Sequence, residues 1–247
     1  MHGFTGSAQS WGDPIVDGLA SAVGSPLLLD LPGHGRHRGD LAPWRFTLDA
    51  VEAELTALAR DEPVDLVGYS MGGRVALAYA VRNPERVRRL VLESASPGLE
   101  TEEERSARRE SDEALARRIE DEGVAAFVDY WEGLSLFESQ ERLPESVRAR
   151  TRALRLQNRP ASLAASLRGL GTGALPSYWG ALSALGVPVL ALVGALDRKF
   201  AAIGARMVQA LPRGTLTEVP GAGHTIHLER PDAWVQAVTG FLTQEQA

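Results

Sequence analysis

Apolar residues along this chain follow two alternating rhythms. Short apolar runs mark buried strands, and apolar positions returning every three or four residues mark amphipathic helices. Leu27, Leu28 and Leu29, ended by Asp30 and the turn Leu31-Pro32-Gly33-His34-Gly35, predict a buried strand running into a turn. Leu48, Val51, Leu55 and Leu58 fall at helical spacing and predict a helix over 47–59, with Thr47 as its N-cap. A strand at 64–67, a helix over 72–81 stopped near Pro84, and a strand at 89–93 follow. The same rhythm returns late in the chain, with a strand at 187–193, a helix at 201–211, a strand at 215–219 and a last helix over 232–242. Strands alternating with helices predict an α/β fold: a mostly parallel sheet covered by helices on both faces.

Between residues 100 and 183 the rhythm changes. Charged residues dominate 102–122, with Leu115, Ile119 and Val124 as a sparse apolar stripe, and several helical stretches follow without a convincing strand. This segment reads as a helical cap inserted into a core made of residues 1–99 and 184–247. The chain opens on a loop, His2-Gly3-Phe4-Thr5-Gly6. A strand should come before such a loop and none does, so an N-terminal strand is expected to be missing.

Composition narrows the class. The chain has 247 residues with a hydrophobic fraction of 44%, ordinary for a globular domain. No run reaches the ~18 apolar residues needed to cross a bilayer, and no signal peptide is visible, so the reading is a cytoplasmic protein with no membrane partner. It has no cysteine, hence no disulfide or thiolate metal site. No cofactor is expected, and no His, Asp and Glu spacing suggests a metal site. The net charge of −6 argues against nucleic acid. It does not argue against small anions, because clustered arginines can create a local positive site. Lys199 is the one lysine.

The candidate chemistry lies at strand ends. Gly68-Tyr69-Ser70-Met71-Gly72 matches G-x-S-x-G, in which a serine on a tight strand-to-helix turn is exposed at the sheet edge. A serine hydroxyl needs a neighbour to take its proton. His224 follows a strand and the short loop Pro220-Gly221-Ala222-Gly223, and is preferred over His227. His34 reads as a structural turn residue, His2 as shaping the opening loop, and His37 as surface. Asp197 follows the apolar run after the insertion and is preferred over Glu93 as the acid that orients the histidine. The order Ser70, Asp197, His224 is the one this strand–turn–helix motif uses. Backbone N–H groups of Phe4 and Met71 are the candidate oxyanion hole.

These segments, together with Asp30-Leu31-Pro32-Gly33-His34-Gly35, Gly72-Gly73-Arg74 and Gly223-His224-Thr225-Ile226-His227-Leu228-Glu229, resemble the α/β-hydrolase superfamily. Ser96-Pro97-Gly98-Leu99, Arg108-Arg109 with Asp112, 127–131, Leu154-Arg155, and Gly171-Thr172-Gly173 with Pro176-Ser177 narrow the resemblance. They are similar to the 2-succinyl-6-hydroxy-2,4-cyclohexadiene-1-carboxylate synthases of menaquinone biosynthesis. The resemblance implies an α/β-hydrolase fold and a lyase that expels pyruvate from an enolpyruvyl ether, with the Ser-His-Asp triad acting as a base. It implies a small polycarboxylate substrate held by Arg74, Arg108 and Arg155, with Trp131 and Tyr69 lining the pocket. Arg74 lies four residues after Ser70, one helical turn away. Arg105, Arg109, Arg152 and Arg159 are alternatives to Arg108 and Arg155. Leu175 departs from the family, which often has a polar residue there. Two other readings stay open: a carboxylesterase or carbon–carbon-bond hydrolase on the same triad, and a non-catalytic or truncated binding protein of the same fold.

Overall fold

The apolar runs become four parallel strands in a computed structural model that describes residues 1–39, 42–59 and 62–244. In chain order the main elements are α1 (Gly12–Val23), α2 (Leu48–Ala59), β1 (Val64–Tyr69), α3 (Met71–Arg82), β2 (Val87–Glu93), α4 (Glu102–Glu132), α5 (Glu145–Leu156), α6 (Pro160–Leu170), β3 (Val189–Gly194), α7 (Arg198–Ala210), β4 (Gly214–Val219), α8 (Ile226–Glu229) and α9 (Pro231–Leu242). Short 3₁₀ turns join several of them, including one over Ser135–Arg142. The strands lie side by side in chain order, β1-β2-β3-β4, and every pairing is parallel.

Period-two alternation sorts the strand residues onto two faces. Leu90, Leu92, Val189 and Ala191 pack with Val51 and Leu55 of α2, Val75 and Leu77 of α3 and Met207 of α7. Val91, Leu190 and Leu192 pack on the other side with Ile15 and Leu19 of α1 and Trp234 and Val238 of α9. Both faces of the sheet are therefore covered, as the near-continuous apolar runs of β2 and β3 require. Thr47 caps α2 as expected, its hydroxyl accepting from the Ala50 N–H at 3.2 Å. Leu58, counted in the apolar stripe, is instead exposed at the helix end.

The run Leu27–Leu28–Leu29 forms no strand, which corrects the expectation. It lines a cavity of about 340 Å³ together with Val64, Leu66 and Val67 of β1. Strands must approach to ~4.8 Å to share hydrogen bonds, and no ladder joins this segment to β1; Leu27 is 69% exposed. Met1 takes the place beside β1: its amino group donates to Val67 O at 2.7 Å, and Tyr69 N–H donates to Met1 O at 3.0 Å. Residues 2–6 are thereby tied to the strand that leads into Ser70.

The region from 102 to 170 is helical throughout its main elements. Thr101 and Glu104 open α4 with a reciprocal capping box, and Gly123 breaks the helix with φ of 82°. Ala116, Ile119, Phe127 and Val128 of α4 pack on Leu163, Ala164 and Leu167 of α6 in an apolar cluster of their own. No helix among the described residues is long and apolar enough to cross a membrane.

The opening loop rests on two buried imidazoles. Leu31 N–H donates to His2 Nε2 at 3.0 Å, so His2 Nδ1 carries the proton and donates to Gly3 O at 2.8 Å. His34 donates from Nδ1 to Pro32 O at 3.0 Å. Burial, reinforced by its neighbour His34, lowers the His2 pKa to about 3, and burial lowers His34 to about 4. Both are neutral in the fold, while the unfolded chain takes up their protons below its pKa of about 6.5. Their contribution is whole above that value and is lost as pH falls towards the folded values. Urea unfolding should therefore show stability dropping between pH 7 and pH 4, by up to about 1.4 kcal/mol per pH unit for each histidine. A midpoint constant over that range would rule this out.

Candidate active site

Ser70 follows directly on β1 and precedes α3, at φ 50° and ψ −110°. A residue with a side chain avoids that backbone conformation unless its surroundings impose it. Here close backbone packing imposes it. A Cβ on Gly68 would lie 2.5 Å from Gly72 O, and one on Gly72 would lie 2.5 Å from the carbonyls of Met1 and His2. The glycines let the strand, the helix and the opening loop converge, and the turn lifts the Ser70 side chain to the sheet edge.

The structure brings three distant side chains together there. Ser70 Oγ lies 3.1 Å from His224 Nε2, and His224 Nδ1 lies 2.7 Å from Asp197 Oδ2. The carboxylate holds the proton on Nδ1, which leaves Nε2 to accept from the serine. Asp197 Oδ1 also accepts from Phe200 N–H at 3.2 Å at the start of α7. His224 and Asp197 are buried, and the Phe200 ring lies 4.6 Å from the imidazole. The arrangement can take a proton onto Ser70 and pass charge to a shielded imidazole.

Glu93, the rival acid, ends β2 but faces elsewhere. Its fully buried carboxylate accepts from the backbone N–H and Nδ1 of His227 and from Trp234 Nε1. His227 is thus a partner of Glu93, away from Ser70. His37 lies near Glu54 at 3.7 Å, partly exposed. Phe4 lines the same cavity as Ser70 and Met71. Its neighbour Gly3 packs so closely on Tyr69 that a Cβ there would lie 2.6 Å from Tyr69 Cε1.

That cavity has a volume of about 710 Å³ and is lined by Tyr69, Ser70, Arg74, Arg108, Trp131, Phe137 and His224 among others. Arg74 is its decisive feature. The side chain is half-buried, its buried Nε has no hydrogen-bond partner, and it makes no ion pair among the described residues. Burial and nearby Arg108 lower its pKa to about 10, so it stays charged at neutral pH. Arg108 holds Asp112 at 2.7 Å, and the second oxygen of that carboxylate is also unpartnered. Trp131 Nε1 is buried without a partner. Tyr69 hydrogen-bonds Thr225 Oγ1 at 2.7 Å, and burial pushes its phenol well above the usual range, so it remains protonated. No cluster of metal-ligating side chains occurs among the described residues.

Arg155 is placed differently. Its guanidinium binds Glu132 at 2.9 Å and lies 3.4 Å from Gln140 Oε1. It lines an adjoining cavity of about 380 Å³ that shares Phe4, Tyr69, Trp131 and Phe137 with the larger one. Of the alternatives, Arg105 and Arg109 hold Glu102, and Arg152 holds Asp129 and Glu132. Leu175 is buried in the core.

The profile of the alpha/beta hydrolase fold family matches residues 1–231. A Bacillus subtilis protein provisionally named as 2-succinyl-6-hydroxy-2,4-cyclohexadiene-1-carboxylate synthase is 43% identical, over 98% of this chain and 89% of that protein. A Salmonella arizonae enzyme of the same name is 34% identical over 98% of this chain and 92% of its own. The structure of MenH from S. aureus superposes with a TM-score of 0.91 at 34% identity, covering 100% of this chain and 93% of that one.

Sequence reading missed Glu229. This buried carboxylate accepts from Gly223 N–H at 2.6 Å and from Thr225 N–H at 3.2 Å, the residues on either side of His224. An acid five residues after the histidine was the available signal, but sequence does not show that the chain turns back on itself there. Glu229→Gln places an amide where an acceptor is needed. Stability should fall by about 1–3 kcal/mol in urea unfolding, and turnover of the folded variant should also fall because His224 loses its backbone anchor. Normal turnover in a destabilised variant would mean that Glu229 serves the fold alone.

Proposed function

Because the chain belongs to the alpha/beta hydrolase fold family and, within it, to the 2-succinyl-6-hydroxy-2,4-cyclohexadiene-1-carboxylate synthases, we infer that it is a lyase of menaquinone biosynthesis. The reaction converts 2-succinyl-5-enolpyruvyl-6-hydroxy-3-cyclohexene-1-carboxylate into the cyclohexadiene product and pyruvate. A ring proton is lost, its electron pair forms the second ring double bond, and the carbon–oxygen bond to the enolpyruvyl group breaks. That group becomes pyruvate by taking up a proton at its methylene carbon. No water is consumed.

In this reading Ser70 takes the ring proton as its own proton passes to His224 Nε2. Asp197 stabilises the imidazolium that forms. The backbone N–H groups of Phe4 and Met71 hold the oxygen on which negative charge develops. Residues 1–99 and 184–247 act as the catalytic core. Residues 100–183 act as a cap that brings Arg108 and Trp131 over the site. Tyr69 shapes the cavity wall beside the serine.

One observation carries the assignment of a polycarboxylate substrate. Arg74 is a half-buried cation whose buried Nε has no partner and which makes no ion pair among the described residues, in the same cavity as Ser70. Leaving such a charge unpaired is strongly unfavourable, and an incoming carboxylate relieves it with two parallel hydrogen bonds. Arg108 at the cavity wall serves the same substrate.

Purified protein supplied with the enolpyruvyl substrate should release pyruvate, read continuously with lactate dehydrogenase and NADH. Ser70→Ala and His224→Ala should each lower kcat by roughly 10³-fold or more. Arg74→Ala should lose ~2–5 kcal/mol of transition-state stabilisation, the scale for stranding one member of a desolvated charge pair. Unchanged kcat/KM in Arg74→Ala would remove the anion-holding role, and absence of pyruvate from the unaltered protein would remove the lyase reading.

A further inference from the structure

Three cations at the rim of the catalytic cavity have no counterpart in the reading so far. Arg142, Arg198 and Lys199 all line the cavity that holds Ser70 and Arg74, and all three are exposed. Arg142 ends the 3₁₀ turn after α4, whereas Arg198 and Lys199 begin α7. They therefore reach the rim from opposite sides, one from the helical insertion and two from the sheet.

Two features bear on what these three cations can do. First, none makes an ion pair among the described residues. Arg117, Arg118, Arg152 and Arg168 of the helical segment each hold a carboxylate, and the exposed Arg150 and Arg159, which make no ion pair among the described residues either, lie outside the lining of this cavity. Second, Arg198 and Lys199 occupy the first turn of α7, which has no acidic residue of its own. The positive end of the helix dipole disfavours cations there. Asp197 caps that end but is bound to His224. Two unneutralised cations at a helix N-terminus cost stability and concentrate positive potential at the cavity mouth. The one other carboxylate in the lining is the exposed Glu138.

We propose that Arg142, Arg198 and Lys199 form an outer docking site that captures a carboxylate of the substrate at the rim before it reaches Arg74. The proposal rests on the polyanionic substrate assigned above. A chain of net charge −6 repels such a molecule at long range, so productive encounter needs a local region of opposite sign. A charged cleft with low-dielectric walls focuses the field and raises capture rates by roughly 10–10³, an effect that salt weakens. The half-buried Arg74 then draws the anion inward, because desolvation strengthens that contact relative to the exposed rim.

The test compares the unaltered protein, Arg142→Gln/Arg198→Gln/Lys199→Gln, and a charge-matched control, Arg117→Gln/Arg118→Gln/Arg168→Gln, across a salt series. The rim variant should lose about tenfold in kcat/KM at low salt, with the loss in KM, and its salt dependence should flatten. The control should keep the unaltered protein's kcat/KM and salt slope. A rim variant matching the unaltered protein at every salt concentration overturns the docking site, as does a control that loses as much, since net charge alone then explains the effect. A parallel titration with tricarballylate, followed by tryptophan fluorescence, needs no turnover. Weaker binding to the rim variant than to the control supports the site, and equal binding overturns it. If the unaltered protein releases no pyruvate, the lyase reading fails and this titration still decides the rim.

Discussion

The parallel register at the carboxyl ends of the four strands is the constraint from which the site follows. Backbone hydrogen bonding continues past the strands: Ser70 N–H donates to Glu93 O at 2.9 Å, Ser94 N–H to Leu192 O at 2.9 Å, and Ala195 N–H to Val219 O at 3.0 Å. Each bond fixes the first residue of one loop against the strand beside it. The loops carrying Ser70, Asp197 and His224 therefore leave the sheet at set heights. A one-residue slip in any pair would turn its side chains to the opposite face and carry the attached loop with it. Leu196 N–H donates to Ala222 O at 2.9 Å, so the Asp197 loop is also bonded directly to the loop before His224.

Against that frame, polar groups are buried in pairs or networks. Glu93 takes three donors from His227 and Trp234, and Glu229 takes two from the backbone around His224. The two carboxylates hold the histidine segment from either end: one fixes the start of α9 and α8 beneath the sheet edge, the other fixes the loop that presents the imidazole. Buried charge satisfied in this way gives one geometry in place of several. Arg74 Nε, Asp112 Oδ2 and Trp131 Nε1 are exceptions near the cavity, and the position of Arg74 one helical turn from Ser70 makes it a difference between this cavity and one lined only by neutral groups.

The fold was readable because its signals are local. Apolar runs broken by glycine and proline marked β1 to β4 within a few residues, and the charged, strandless stretch after residue 100 marked the helical segment. The meeting of Ser70, Asp197 and His224 was readable because each follows a strand in the order that a parallel sheet brings to one edge. What escaped depended on space. Leu27, Leu28 and Leu29 have the composition of a strand, but a strand exists only with a backbone partner, and here β1 bonds Met1 instead. Arg155 could not be separated from its arginine neighbours until Glu132 and Gln140 were seen around it. Glu229 could not be distinguished from a solvated helix-end acid until the chain was seen to curl over it.

The same triad geometry serves hydrolases, so the serine, histidine and aspartate do not by themselves choose the reaction. A hydrolase needs a carbonyl carbon within reach of Ser70 Oγ and a water to finish the cycle. An elimination needs an acidic C–H placed at that oxygen and a leaving group aligned with the breaking bond. Placement is set by whatever anchors the rest of the molecule. In the proposed function that anchor is the half-buried guanidinium one turn along α3, its Nε unpartnered, with Arg108 also in the cavity lining. An ester without carboxylates gains nothing from Arg74 and leaves its charge unrelieved. In the proposed lyase a polycarboxylate ring is drawn in, oriented by that contact, and presents a proton rather than a carbonyl carbon to the serine. In this reading the specificity for elimination lies in the cation beside the triad, and the triad supplies the base.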